Sequence, residues 1–234
     1  MMKKILYSLS LCLAFVFVSC EEETTQDTSK VTHFVEFDLE GDAITMLAKG
    51  TSFQEPGYNA ILNGQDVASD VKITGNVNTG EIGIYDLTYS AINEDGFAKA
   101  LTRTVYVYDP TPSVLESACY TVSKDSYRNL NGTIVPFGRD YSIVIYQIEP
   151  GIFAVTDFLG GWYDQRAGYG SDYAMVGEFQ LNDDNTLEIL SGDVEGWEDS
   201  YDSFENGTYD PVSGSLSWEV GYASSMVFYI TLNK

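Results

Sequence analysis

The chain has 234 residues, 44% hydrophobic and 14% aromatic, with 12 basic and 35 acidic side chains and a formal net charge of −23. That apolar fraction is enough to bury cores, so the charge does not mean disorder; a surface this acidic does repel nucleic acid and anionic lipid headgroups. Three cysteines and one histidine exclude a disulfide framework and a His- or thiolate-rich zinc site, and they argue against a Ser-His-Asp triad.

The chain starts with Lys3 and Lys4, an apolar run over residues 5–18 that is too short to span a bilayer, and then Ser19 and Cys20. This is the pattern of a secretory signal peptide. A cysteine directly after a small residue at the cut makes it a lipoprotein signal, with Cys20 lipidated as the new N-terminus. The alternative is an ordinary signal peptide with a chance cysteine at that place. Removing residues 1–19 takes away two lysines and no acid, which leaves ten basic residues against 35 acidic ones, a net charge of −25. With Cys20 followed by Glu21, Glu22 and Glu23, the segment resembles Bacteroidota lipoproteins. In them such acidic residues mark export to the outer face of the outer membrane. Phe17 departs from that pattern, where Leu is usual. The resemblance implies an outer-membrane protein facing the exterior, held by its N-terminal lipid only. Residues 20–30 form a polar tether without apolar periodicity.

Alternating apolar and polar positions dominate from residue 31, and helical periodicity is nearly absent. Val31, His33, Val35 and Phe37 alternate with Thr32, Phe34, Glu36 and Asp38. Tyr85, Leu87, Tyr89 and Ala91 define one face of a strand, Asn93-Glu94-Asp95-Gly96 supplies a turn, and residues 101–108 return as the hairpin partner. Asp109-Pro110-Thr111-Pro112 then ends the pattern, because two prolines cannot continue a ladder. Residues 31–110 are read as an immunoglobulin-like β-sandwich. The run from Gly83-Ile84-Tyr85 through the Asn93–Gly96 turn to Thr102-Arg103-Thr104-Val105 resembles the bacterial Ig-like module first described in insecticidal crystal toxins. That resemblance implies a spacer or adhesion module.

Residues 113–234 are read as a second, larger antiparallel domain of eight or so strands, closing as a barrel or stacking as a sandwich. Strands are expected over 139–148 and 152–159 around Glu149-Pro150-Gly151, and over 174–181 and 186–190 around Asn182-Asp183-Asp184-Asn185. Others are expected at 208–209 and 215–220 around Asp210-Pro211-Val212-Ser213-Gly214, with 226–232 closing the chain. Residues 158–175 together with 207–222 resemble the uncharacterised C-terminal domain that follows an Ig-like module in Bacteroidota lipoproteins encoded with polysaccharide-uptake genes.

The segment 158–173 packs Trp162, Tyr163, Tyr169 and Tyr173 among Gly160, Gly161, Gly168 and Gly170, with Asp157, Asp164, Gln165, Arg166 and Asp172 interleaved. Flat aromatic faces beside planar hydrogen-bonding groups suit a pyranose, which offers C–H faces and a hydroxyl rim. Trp162, Tyr163, Asp164, Gln165, Arg166, Tyr169 and Tyr173 are therefore the candidate ligand-binding residues, with Trp162 as an exposed platform. The alternative is a loop whose aromatics plug one end of its own domain. Asp157 and Asp164 are the least weak pair for glycosidase chemistry. The acidic loop 192–207 carries Asp193, Glu195, Glu198, Asp199, Asp202 and Glu205 around Trp197, Tyr201 and Phe204. Its spacing does not follow a calcium loop, so it is read as solvated, with no metal and no cofactor expected. Cys119 is read as a buried structural thiol.

These observations favour a non-catalytic, glycan-binding accessory lipoprotein on the cell surface, its partners a polysaccharide or oligosaccharide and outer-membrane importer proteins. A structural or adhesion protein with a protein partner is the alternative, and a glycoside hydrolase a third reading.

Overall fold

The structure, a computed structural model, describes residues 31–234. The signal peptide, Cys20 and the tether to Lys30 lie outside the described residues. The first domain is built from β1 (Glu36–Leu39), β2 (Ile44–Ala48), β3 (Tyr58–Leu62), β4 (Gln65–Asp66), β5 (Lys72–Thr74), β6 (Gly83–Ile92) and β7 (Ala98–Tyr108). They form two sheets, β1-β3-β4 and β2-β7-β6-β5, with β2 parallel to β7 and the other pairs antiparallel. The β6–β7 hairpin forms around the Asn93–Gly96 turn as its sequence predicts, with β7 starting earlier than expected, at Ala98. Leu87, Tyr89 and Ala91 point inward and are buried, while Ile84, Asp86 and Ile92 point out. Asn93 holds the turn, its Oδ1 accepting from the amides of Asp95 and Phe97 at 3.1 and 2.8 Å.

The core of this domain is small. Val35, Ala60 and Ala91 are buried together, supported by Phe37, Leu62 and Val71. Between the sheets lies a fully buried cation, Arg103. It donates to Glu55 Oε1 at 3.1 Å, to the Glu40 carbonyl at 2.7 Å, to the Gly57 carbonyl at 3.2 Å and to the Asp42 carbonyl. The planar fork of guanidinium N–H groups lets one side chain tie three chain segments.

The second domain comprises β8 (Ala118–Val122), β9 (Tyr127–Leu130), β10 (Thr133–Pro136), β11 (Tyr141–Glu149), β12 (Ile152–Val155), β13 (Val176–Leu181), β14 (Leu187–Val194), β15 (Asp199–Ser200), β16 (Ser203–Asp210), β17 (Ser215–Tyr222) and β18 (Met226–Asn233). Among the described residues all eleven belong to one antiparallel sheet. β18 is its hub, pairing β17 along one side and β9 and β8 in turn along the other. The sheet curls until β14 approaches β16, but only an isolated bridge, Thr186 to Thr208, joins them. The domain is therefore a curled sandwich and not a closed barrel. Phe153, Phe158, Phe179, Trp218, Phe228 and their neighbours fill it, each such side chain contributing about 1.5–3 kcal/mol by burial. β12 ends at Val155, earlier than its sequence suggests, because Asp157 turns the chain.

Cys119 is exposed, contrary to the expectation of burial. On β8 the inward positions are Tyr120 and Val122, and alternation sends Cys119 outward.

A second cluster crosses the boundary between the domains. Tyr106, with Met46, Ile82 and Tyr108, packs on Val144, Tyr146, Ile148 and Ala154; the rings of Tyr106 and Tyr146 are 5.4 Å apart. The buried Gln147 donates to the carbonyls of Asp109 and Thr111 at 3.2 and 2.8 Å, and its own carbonyl accepts from the Asp109 amide at 2.8 Å. The proline segment is thus clamped to β11. Fragments 31–110 and 113–234 are expected to melt cooperatively, each below the transition of the intact chain, because each loses half of this cluster. Equal melting temperatures would show that the seam adds nothing, and a fragment without a transition would show that the units share a core.

Candidate functional site

The aromatic loop begins at Asp157, which is fully buried. Its two oxygens accept from the amides of Leu159 at 2.8 Å, Gly161 at 2.7 Å and Met175 at 3.0 Å. Burial pushes its carboxyl up to about 7, against the opposing pull of those three donors; the charge of Asp164 adds to the rise. A carboxylate sealed in this way closes the loop on itself and has no oxygen free for a sugar. The Asp157–Asp164 pairing for glycosidase chemistry is accordingly corrected.

Gly160 and Gly161 follow with φ of +64° and +80°. A Cβ on Gly160 would meet Ile230 Cδ1 at 3.0 Å, so the turn needs glycine both for its backbone and for its space. A single π turn, Trp162–Arg166, comes next, with Arg166 and Ala167 donating to the carbonyls of Gly161 and Trp162 at 2.8 and 3.0 Å. This turn drives Trp162 into the core.

Trp162 is only 3% exposed, which corrects its reading as an exposed platform. Its ring meets Phe137 and Phe228 edge-on at 5.0 and 5.7 Å, and guanidinium groups of Arg166 and Arg128 lie over it at 4.1 and 4.7 Å. The tryptophan plugs the end of the sandwich because its large apolar surface gains more from burial than from display. Gln165 is also committed: its Nε2 donates to the Ser142 carbonyl at 2.7 Å and its Oε1 accepts from the Ser142 amide at 3.3 Å. Its role is to extend the edge of β11. Asp164 stays half-buried, and partial desolvation raises its carboxyl above the usual range.

Tyr163, Tyr169 and Tyr173 gather elsewhere, around a residue of the acidic loop. Trp197 stands edge-on to Tyr163 at 4.7 Å and to Tyr169 at 6.2 Å, and lies 4.9 Å from Tyr173. Tyr163 and Tyr169 are nearly parallel, 6.2 Å apart, and Tyr222 supports Tyr163 from below at 6.2 Å. Gly196 permits the assembly, since a Cβ there would lie 2.8 Å from the Tyr173 ring. Within the group Tyr169 is 57% and Trp197 40% exposed. The structure thus joins the glycine-rich loop to the acidic loop, with Asp164, Asp172, Glu195 and Glu198 near the same sequence positions. The candidate residues did not include Trp197; its signal was a tryptophan within an acidic, solvated loop, where a core role is least expected. Among the described residues no three His, Cys, Asp or Glu side chains converge at metal-binding spacing.

The fold is that of a two-domain β protein. Residues 37–107 match the family model for the bacterial surface protein Ig-like domain, and residues 109–234 match the model of a C-terminal domain family. The latter takes in more than half of the chain, which belongs to that family. Neither description names a catalytic activity. Among solved structures the chain is similar to the lipoprotein BT2262 from Bacteroides thetaiotaomicron, at 53% identity over 86% of this chain and 100% of that one, with a TM-score of 0.80. Two structures from Clostridium perfringens ZmpB also match, at 19% and 16% identity, covering 51% and 84% of this chain and 31% and 43% of theirs. One holds CBM51-2 with GlcNAc and INT domains, the other CBM51-2 and INT domains. Their TM-scores are 0.26 and 0.25. No curated protein is similar enough to count as a match.

Proposed function

We propose that this protein is a lipid-anchored accessory protein of the outer membrane, facing the exterior, that holds a neutral polysaccharide without cleaving it. The observation that carries the reading is the exposed pair Tyr169 and Trp197, held on the ring cluster of Tyr163, Tyr173 and Tyr222. Rings held in place by one another and exposed at the surface are what a pyranose C–H face needs. The lipoprotein signal at Cys20 and the similarity to a Bacteroides lipoprotein support the anchor. The sealing of Asp157 supports a non-catalytic role. A net charge of −25 after signal removal disfavours uronate or sulfated chains.

The test is affinity electrophoresis of the mature chain against neutral polysaccharides, with an acidic one as contrast. Removing an aromatic platform costs about 1–3 kcal/mol, by analogy with base stacking on aromatic side chains. Trp197→Ala is therefore expected to weaken binding roughly ten- to a hundredfold, at about 1.4 kcal/mol per decade, with little change in melting temperature. Retention of no neutral polysaccharide, or a variant that binds as tightly as the parent, overturns the reading.

A further inference from the structure

We infer that the pole of the first domain built by Val31, Phe34, Ile61 and Phe97 rests in the headgroup layer of the bilayer that holds the anchor. All four side chains are exposed, Val31 by 71% and Phe97 by 54%. They sit together. Phe34 and Phe97 meet at 5.9 Å between ring centroids, and Phe34 lines one groove with Ile61, Thr32 and His33. The buried Asn93 donates from Nδ2 to the His33 carbonyl at 2.7 Å, which fixes the entering chain to the β6–β7 turn. Ile92, 68% exposed, flanks the same turn. A contiguous group of exposed apolar side chains that the core of Val35, Ala60 and Ala91 does not take in marks an interaction surface.

Its position names the occupant. β7 leaves this pole at Ala98 and reaches the second domain after Tyr108, so the patch lies at the end of the first domain away from its junction with the second. Residues 21–30 separate Cys20 from Val31, and fully extended they reach at most ~35 Å. The inference rests on lipidation of Cys20, as in the proposed function; given that anchor, this pole is the part of the described chain tied nearest to the membrane. Phenylalanine and aliphatic side chains at such a depth enter the boundary between headgroups and acyl chains. The charged neighbours Glu36, Glu94, Asp95 and Lys99 carry an acidic excess, which fits a zwitterionic surface better than an anionic one. Seated this way, the first domain stands upright and presents the second domain outward.

The experiment uses the full lipidated chain with Cys119→Ser, to remove the exposed thiol, and Glu94→Cys carrying a polarity-sensitive fluorophore in the turn. In phosphatidylcholine vesicles the emission is expected to shift to the blue, while the same label at Val212→Cys, in the second domain, does not move. Adding Phe34→Ser and Phe97→Ser is expected to abolish the shift with flotation on the vesicles unchanged. Flotation with equal emission at both labelled positions overturns this inference alone. Loss of vesicle flotation in the parent chain overturns the Cys20 anchor and the inference with it.

Discussion

Replacing Arg103 with methionine is expected to destabilise the first domain by about 1–3 kcal/mol, the consequence of removing a fully buried guanidinium from its part-buried acceptors. Methionine fills a similar volume, so the loss is not a cavity effect. It leaves Glu55 without its cation and the part-buried carbonyls of Glu40, Asp42 and Gly57 without these donors. Arg103→Lys keeps the charge but cannot fork to three carbonyls, so an intermediate loss is expected. Denaturant unfolding of the intact chain, followed by a probe in the first domain, measures both. Wild-type stability in the methionine variant would mean that the arginine is spectator to the core of Val35, Ala60 and Ala91.

Trp162→Ala is expected to cost about 3–5 kcal/mol in the second domain, as truncation of a core aromatic does. The ring is enclosed by Phe137 and Phe228 on its edges and by two guanidinium groups on its faces. Each cation–π contact adds about 0.5–2 kcal/mol that alanine also forfeits. The decisive comparison is with Trp197→Ala, because the two tryptophans are assigned opposite roles. One variant loses melting temperature and keeps polysaccharide affinity while it remains folded; the other loses affinity and keeps its melting temperature. A stable Trp162→Ala variant with lost affinity would return the platform to Trp162.

Much of the architecture was legible in the chain. The β6–β7 hairpin was readable because Leu87, Tyr89 and Ala91 alternate strictly and a four-residue turn separates two long strands. β9 and β10 are not readable from alternation, although Asn131-Gly132 joins them with positive φ at both residues, 49° and 89°; their short strands lack a clean apolar face. Whether the second domain is a barrel or a sandwich depends on how far a twisted sheet closes, and alternation carries no information about that. The isolated Thr186–Thr208 bridge settled it.

By itself the sequence determined the β class and the acidic excess, because these follow from local periodicity and composition. Only the tertiary structure decided which aromatics face solvent. Trp162 and Trp197 both lie in polar, glycine-bearing loops. A π turn pinned by the three amides on Asp157 buries the first, and Gly196 lets Tyr173 brace the second at the surface. Burial is a property of packing between segments distant in the chain, here residues 137, 162 and 228, and no spacing rule within one loop encodes it.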